Sequence, residues 1–269
     1  MKKLSRTRSA FRYRIKVFKQ YSGLIRELVT RDLKLKYRRS FLGYIWSVLN
    51  PLLIMIVMTV VFSAMFRKNI ENYPVYLLIG RTMYDFTATS TKQALKSVTG
   101  NAALLKKTYI PKYIFTLSKV TTNLVETAFS MGALLIVMLA TRSPFYWYML
   151  LIPMILIEAY IFSLGLGFLL AMLNVFFRDI EYIYRAVTVA WMYLTPLFYP
   201  IERLPVRLQQ AIKLCNPLYY YIAQFRDVAL YGQLPGPRIV IGGWVIALAM
   251  LAIGLFAFQR KQDKFILHI

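Results

Sequence analysis

Arg31-Asp32-Leu33-Lys34-Leu35-Lys36-Tyr37-Arg38-Arg39 is a basic run, and the 27 residues that follow it, Ser40 to Phe66, carry no charge at all. About 20 apolar residues cross the ~30 Å hydrocarbon core of a bilayer, so this stretch is long enough to cross with tilt to spare. Lys and Arg beside a first span are held on the cytoplasmic side. One junction therefore predicts a membrane crossing and its direction, with the N terminus inside. The apolar stretch begins too late and runs too long for a cleaved signal peptide, and is expected to remain as an anchor.

The rest of the composition agrees. Of the 269 residues, 58% are hydrophobic, far above the share in soluble domains. The net charge of +23 raises the question of a nucleic-acid partner. Fourteen of the 34 Lys and Arg residues precede Ser40, and most of the others sit between apolar stretches. Charges gathered at membrane edges follow from topology and from anionic headgroups, so membrane lipids are the expected partner and nucleic acid is not. Cys215 and His268 are each single in the sequence. A single Cys excludes an internal disulfide, and one Cys and one His exclude a metal site built on several such side chains; with His268 the only His, no Ser-His-Asp triad is expected.

From Tyr21 the apolar positions Tyr21, Leu24, Ile25, Leu28 and Leu35 recur at helical spacing, opposite Arg26, Arg31, Lys34 and Arg38. This pattern predicts an amphipathic helix in the inner interface, in preference to a solvated basic tail. Six spans follow, at about 41–66, 75–98, 117–140, 146–175, 182–199 and 239–258. Pro51 falls inside the first, where a neighbouring helix must satisfy the carbonyl that proline frees. Between the fifth and sixth, Val206–Cys215 and 218–231 are parted by Asn216-Pro217. Each is too short to cross, so both are expected as re-entrant or interfacial half-helices. The predicted fold is all-α and polytopic, with a cytoplasmic unit 1–40 and a six-helix membrane unit 41–269. In that arrangement 25 basic residues lie inside and eight outside, the sign the charge rule demands. No internal repeat is visible, which speaks against an inverted-repeat carrier.

Charges inside spans mark functional candidates. Arg81 and Asp85 are four residues apart on one helix face, and a structural pair is preferred there over a transport site. Glu126 and Glu158 are open to two readings, a functional acid or a hydrogen-bonded contact between helices. Ser163 and Gly167 form a small-xxx-small pair suited to close helix approach. Tyr44, Trp46, Tyr146 and Trp147 lie near span ends, where an aromatic belt accounts for them. Phe62, Trp191 and Tyr193 lie deeper and are candidates for lining a path, and Tyr219-Tyr220-Tyr221 lies in the outer segment. The dipeptide Gly-Lys is absent, so the chain has no phosphate-cradling loop of the G-x-x-x-x-G-K-[ST] type. ATP-driven work would need a separate nucleotide-binding chain, and no enzymatic activity is expected of this one.

Several stretches together resemble one family. Arg31-Asp32-Leu33-Lys34, Tyr37-Arg38-Arg39-Ser40, Leu42-Gly43-Tyr44-Ile45-Trp46-Ser47 and Asn50-Pro51 are similar to the opening of type-2 ABC exporter permeases for polysaccharides and polyol phosphates. Leu104-Leu105-Lys106-Lys107 with Ile110-Pro111, Asn174 with Phe177-Arg178-Asp179, Thr195-Pro196 with Tyr199-Pro200, Asn216-Pro217 with Arg226, and Gln262-Asp263-Lys264-Phe265 continue the likeness in order. Arg81 and Asp85 depart from it, standing where the family has an uncharged, aromatic-containing stretch. The resemblance implies a bacterial cytoplasmic-membrane protein with both termini inside, a homodimer paired with two copies of an ABC ATPase that holds ATP and Mg. Asn101, Leu104, Leu105, Lys106, Lys107 and Pro111 would form the coupling segment. Lys34, Lys36, Arg38 and Arg39 would meet the phosphate of a lipid-linked glycan of the undecaprenyl diphosphate type, an O-antigen, capsule or teichoic acid. Asn216, Pro217, Tyr219, Tyr220, Tyr221 and Arg226 would form an outer gate. The alternatives are a drug or lipid efflux permease of the same superfamily and an ion-coupled carrier relaying through Glu126, Glu158 and Asp85.

Overall fold

In a computed structural model the chain is described at residues 20–36, 38, 40–66, 70 and 72–268, and among these it is all helical, with no strand. The helices are α1 (20–36), α2 (Trp46–Phe66), α3 (Tyr73–Leu95), α4 (Ala102–Lys107), α5 (Tyr113–Ala140), α6 (Ile152–Phe176), α7 (Ile180–Leu194), α8 (Val206–Cys215), α9 (Pro217–Ala229) and α10 (Pro237–Lys261). Four stretches among the described residues are long and apolar enough to cross a bilayer: Gly43–Phe62, Tyr113–Ala140, Trp147–Phe176 and Pro237–Leu267.

Two of the six predicted spans fall outside that set for different physical reasons. Helix α3 is long enough, at 23 residues or about 34 Å, but it is polar. It is also the central element: 17 of its residues are buried, Thr82, Thr87, Ser90 and Thr91 among them. A helix wrapped in protein meets no lipid, so its sequence is free of the apolar requirement. Helix α7, at 15 residues, is about 22 Å long and stops at Leu194. Beyond it, Thr195 Oγ1 turns back to the Trp191 carbonyl at 2.7 Å.

Close helix approach sets the bundle's geometry. A methyl group built on Gly254 would fall on the Gly165 carbonyl, and one on Gly165 would meet the Leu251 backbone. Helices α6 and α10 therefore cross backbone to backbone, a contact that needs residues without a Cβ. Gly167, two residues on and about half a turn round α6, sits against Ala94 of α3. Pro51 in α2 removes the donor that would have served the Ser47 carbonyl four residues earlier. Ser130 of α5 supplies it instead, Oγ to carbonyl at 3.0 Å.

The two short helices between α7 and α10 part company. Pro217 opens α9 at the position where its missing N–H costs nothing, and the Asn216 side chain caps the Leu218 amide at 3.1 Å. Helix α9 then buries Leu218, Tyr221, Phe225 and Val228 in the main core with α3 and α6. Helix α8 buries only Ile212 and lies on the surface.

Candidate functional site

A polar cavity of about 420 Å³ opens between α2, α3 and α5. Four charged side chains line it, and they are paired: Lys36 Nζ lies 2.7 Å from Glu126 Oε2, and Arg81 Nε lies 2.7 Å from Asp85 Oδ2. The pairs cancel, so the cavity carries four charges yet is close to neutral. Asn50, Thr82, Thr89, Asn123 and Thr127 add amides and hydroxyls, and Trp46 and Phe86 supply aromatic surface. Asn123 Nδ2 donates to Gln93 Oε1 at 3.0 Å, tying α5 to α3 beside the cavity.

Helix α1 reaches this site. Helix α1 presses Leu28 into a core cluster with Ile114, Phe115 and Phe168, as its amphipathic spacing requires. Its polar edge is tied to α5 twice, by Lys36 to Glu126 and by Asp32 to Lys119 at 2.7 Å. Asp32 and Lys36 are four residues apart and share a face. Of the predicted phosphate-facing cations, Lys34 and Arg38 are exposed, Lys36 is engaged with Glu126, and Arg39 lies outside the described residues.

Helix α4 occupies the predicted coupling segment. Leu105 is buried, while Leu104, Lys106 and Lys107 are exposed on the same six-residue helix. Asn101 turns inward, Nδ2 to the Ser97 carbonyl at 2.8 Å. Tyr109, which the sequence reading passed over, is almost fully exposed. Pro111 borders a second cavity, about 510 Å³, whose far wall is Phe258, Gln262 and Asp263 of the C-terminal segment. Lys112 crosses its rim to donate to the Gln262 carbonyl and lies over the Phe265 ring. Burial holds its ammonium below the usual lysine range, with Asp263 pulling the other way.

Where α9 meets α3, Arg226 is buried, and among the described residues it makes no salt bridge to an acid. Its guanidinium donates to the Pro196 carbonyl at 2.9 Å and the Leu197 carbonyl at 3.1 Å, and stacks 3.4 Å over the Tyr76 ring. Asn216 accepts from Trp191 Nε1 at 2.9 Å and donates to Thr195 Oγ1 at 2.9 Å, joining α9 to the end of α7. Tyr221 is buried, and Tyr219 and Tyr220 meet edge to face. Glu158 is fully buried beside Gln224, where a methyl group on Gly243 would strike both. The three deeper aromatics are not gathered in one place. Phe62 stacks on Phe198, Trp191 packs edge-on to Phe162, and Tyr193 points out from α7.

Sequence reasoning missed Asp32, Lys119 and Ser130, and it placed Trp46 in a belt. The spacing of Asp32 and Lys36 on one face, and the position of Ser47 four residues before Pro51, were the signals available. Among the described residues no three His, Cys, Asp or Glu side chains converge as a metal site.

Comparison with known proteins places this architecture. Residues 23–230 match the family described as "ABC-2 type transporter". Over 247 residues, 91% of this chain and 95% of the relative, the sequence is 28% identical to the O-antigen export system permease protein RfbA of Myxococcus xanthus. It is 30% identical over 239 residues, 88% of this chain and 92% of the relative, to the protein of the same name from Klebsiella pneumoniae. The capsule polysaccharide export inner-membrane protein CtrC of Neisseria meningitidis serogroup A is 25% identical over 76% of each chain. The chain belongs to the ABC-2 type transporter family, among its polysaccharide export permeases.

Proposed function

We propose that this chain is the membrane-spanning subunit of an ATP-driven exporter that moves a lipid-linked polysaccharide, on a carrier of the undecaprenyl diphosphate type, across the bacterial cytoplasmic membrane. The observation that carries the cargo reading is the charge-balanced cavity between α2, α3 and α5. Paired charges, amides and hydroxyls hydrogen-bond sugar hydroxyls in either sense, and the Trp46 face suits a pyranose ring. The relatives named as O-antigen and capsule polysaccharide export proteins point the same way.

In this reading α2, α3, α5, α6, α7 and α10 cross the bilayer, α7 together with the chain that follows it, and both ends are inside. Residues 1–40 form the cytoplasmic unit and 41–269 the membrane unit. Energy comes from two copies of an ABC ATPase carrying ATP and Mg, seated against Leu104, Lys106, Lys107 and Tyr109 of the α4 segment, with Asn101, Leu105 and Pro111 shaping it. Two copies of this chain face each other. The exposed cations Lys34 and Arg38 form an inner collar that draws phosphate by its field, and the α8–α9 segment gates the outer side. Pairing of Glu126 with Lys36 and of Asp85 with Arg81 leaves little room for an ion relay, which counts against a secondary carrier. Depleting the protein in cells tests the proposal: lipid-linked polymer is expected to accumulate on the cytoplasmic face, and unchanged surface polymer would refute it.

A further inference from the structure

At the opposite end of α3 from α9, a pocket of about 300 Å³ lies between α3 and α7, lined by Lys92, Leu95, Lys96, Glu181, Tyr184 and Arg185. Its charges do not balance. Lys96 Nζ and Arg185 Nη2 both approach Glu181 Oε1, at 2.6 and 3.4 Å, and Lys92 adds a third cation, so three positive groups face one carboxylate. The pocket is built rather than incidental: Tyr184 is buried with Leu95 and Leu170 and donates to Thr91 Oγ1 at 2.7 Å. Lys96 and Arg185 nevertheless keep most of their side-chain surface open.

The wall beside it is apolar. Val189 and Tyr193 follow Arg185 at four-residue steps along α7, and both are more than half exposed. Residues so spaced form one stripe on a helix. A cationic pocket at the head of an open apolar stripe has the form of a site for an amphiphile with an anionic head.

We propose that this pocket holds the phosphate head of an inner-leaflet lipid bearing at least two negative charges, a lipid diphosphate, with its chain laid along Val189 and Tyr193. The excess of two positive charges matches such a head better than the single charge of a phosphodiester. This deepens the exporter reading, on which the identity of the lipid rests, by naming where the head is held once the collar has drawn it in.

The test uses the purified full chain in detergent, where orientation in a membrane does not matter, with undecaprenyl diphosphate and phosphatidylglycerol as probes. Wild type is expected to prefer the diphosphate, and K92Q/K96Q/R185Q to bind it about a hundredfold more weakly, given roughly fivefold per basic side chain near an anionic head. The single variant K92Q, which leaves both Glu181 ion pairs in place, is expected to lose about fivefold. R203Q/R207Q/K213Q, removing three exposed charges elsewhere, should bind as wild type does. Equal binding by wild type and the α3–α7 variants overturns the pocket while leaving the exporter reading intact. Equal affinity of wild type for phosphatidylglycerol overturns the assignment to a diphosphate. No binding of the diphosphate by wild type overturns both.

Discussion

Lys36 Nζ sits 2.7 Å from Glu126 Oε2, joining α1 to α5 at the edge of the polar cavity. Both residues thereby change meaning. The acid that stood alone in a span has a counter-ion, and one cation of the proposed collar is committed to the protein. Removing either partner leaves a charge at a low-dielectric edge. Glu126→Gln is expected to lower stability by about 1 kcal/mol or less, because Lys36 is nearly half exposed and solvent screens the pair. Glycan transport should fall further than stability does, as the cavity wall shifts. The exchange K36E/E126K should restore both, read by thermal denaturation in detergent and by polymer export.

Ser130 stands in for the proline-deleted donor at the Ser47 carbonyl. Ser130→Ala should cost about 0.5–1.5 kcal/mol. In a Pro51→Ala background the helix recovers its own donor, and the same change should cost almost nothing. A double-mutant cycle on unfolding free energy measures the difference; equal costs in both backgrounds would refute the substitution of one donor for the other.

Gly165→Ala and Gly254→Ala each push a methyl group into backbone rather than into a movable side chain. Overpacking of this kind costs about 1–3 kcal/mol or more, so both variants should lose monodisperse folded protein on size exclusion. Gly100→Ala, with nothing within 4 Å of the new methyl, should behave as wild type.

The α4 segment divides cleanly into inside and outside. Leu104→Asp and Lys107→Glu change exposed side chains, and should abolish co-purification with the partner ATPase without altering thermal stability. Leu105→Ala empties a buried position, and should instead lower stability by about 2–5 kcal/mol.

The junction at Ser40, the amphipathic face of α1 and the broken helix at Asn216-Pro217 were legible because each is written locally, in charge, spacing or a proline. Helix α3 was placed despite its Thr and Ser residues, yet its central position was not, since burial by other helices leaves no apolar mark in the sequence. The Gly165–Gly254 crossing and the Asp32–Lys119 pair join residues 89 and 87 positions apart, a relation that no local pattern records. Helices α8 and α9 looked alike as short apolar-patterned segments. Only packing against α3 and α6 makes one of them core and the other surface. Phe62, Trp191 and Tyr193 were grouped by depth along their helices, but depth does not fix the direction in which a side chain points.

Reconstitution of the permease in liposomes, with a fluorescent lipid-linked oligosaccharide in one leaflet and the partner ATPase present or absent, tests the central claim most directly. The account predicts translocation that requires both the ATPase and hydrolysable ATP, and that falls when the Lys36–Glu126 and Arg81–Asp85 pairs are neutralised together. Translocation driven by an ion gradient with no ATPase in the vesicle would contradict it.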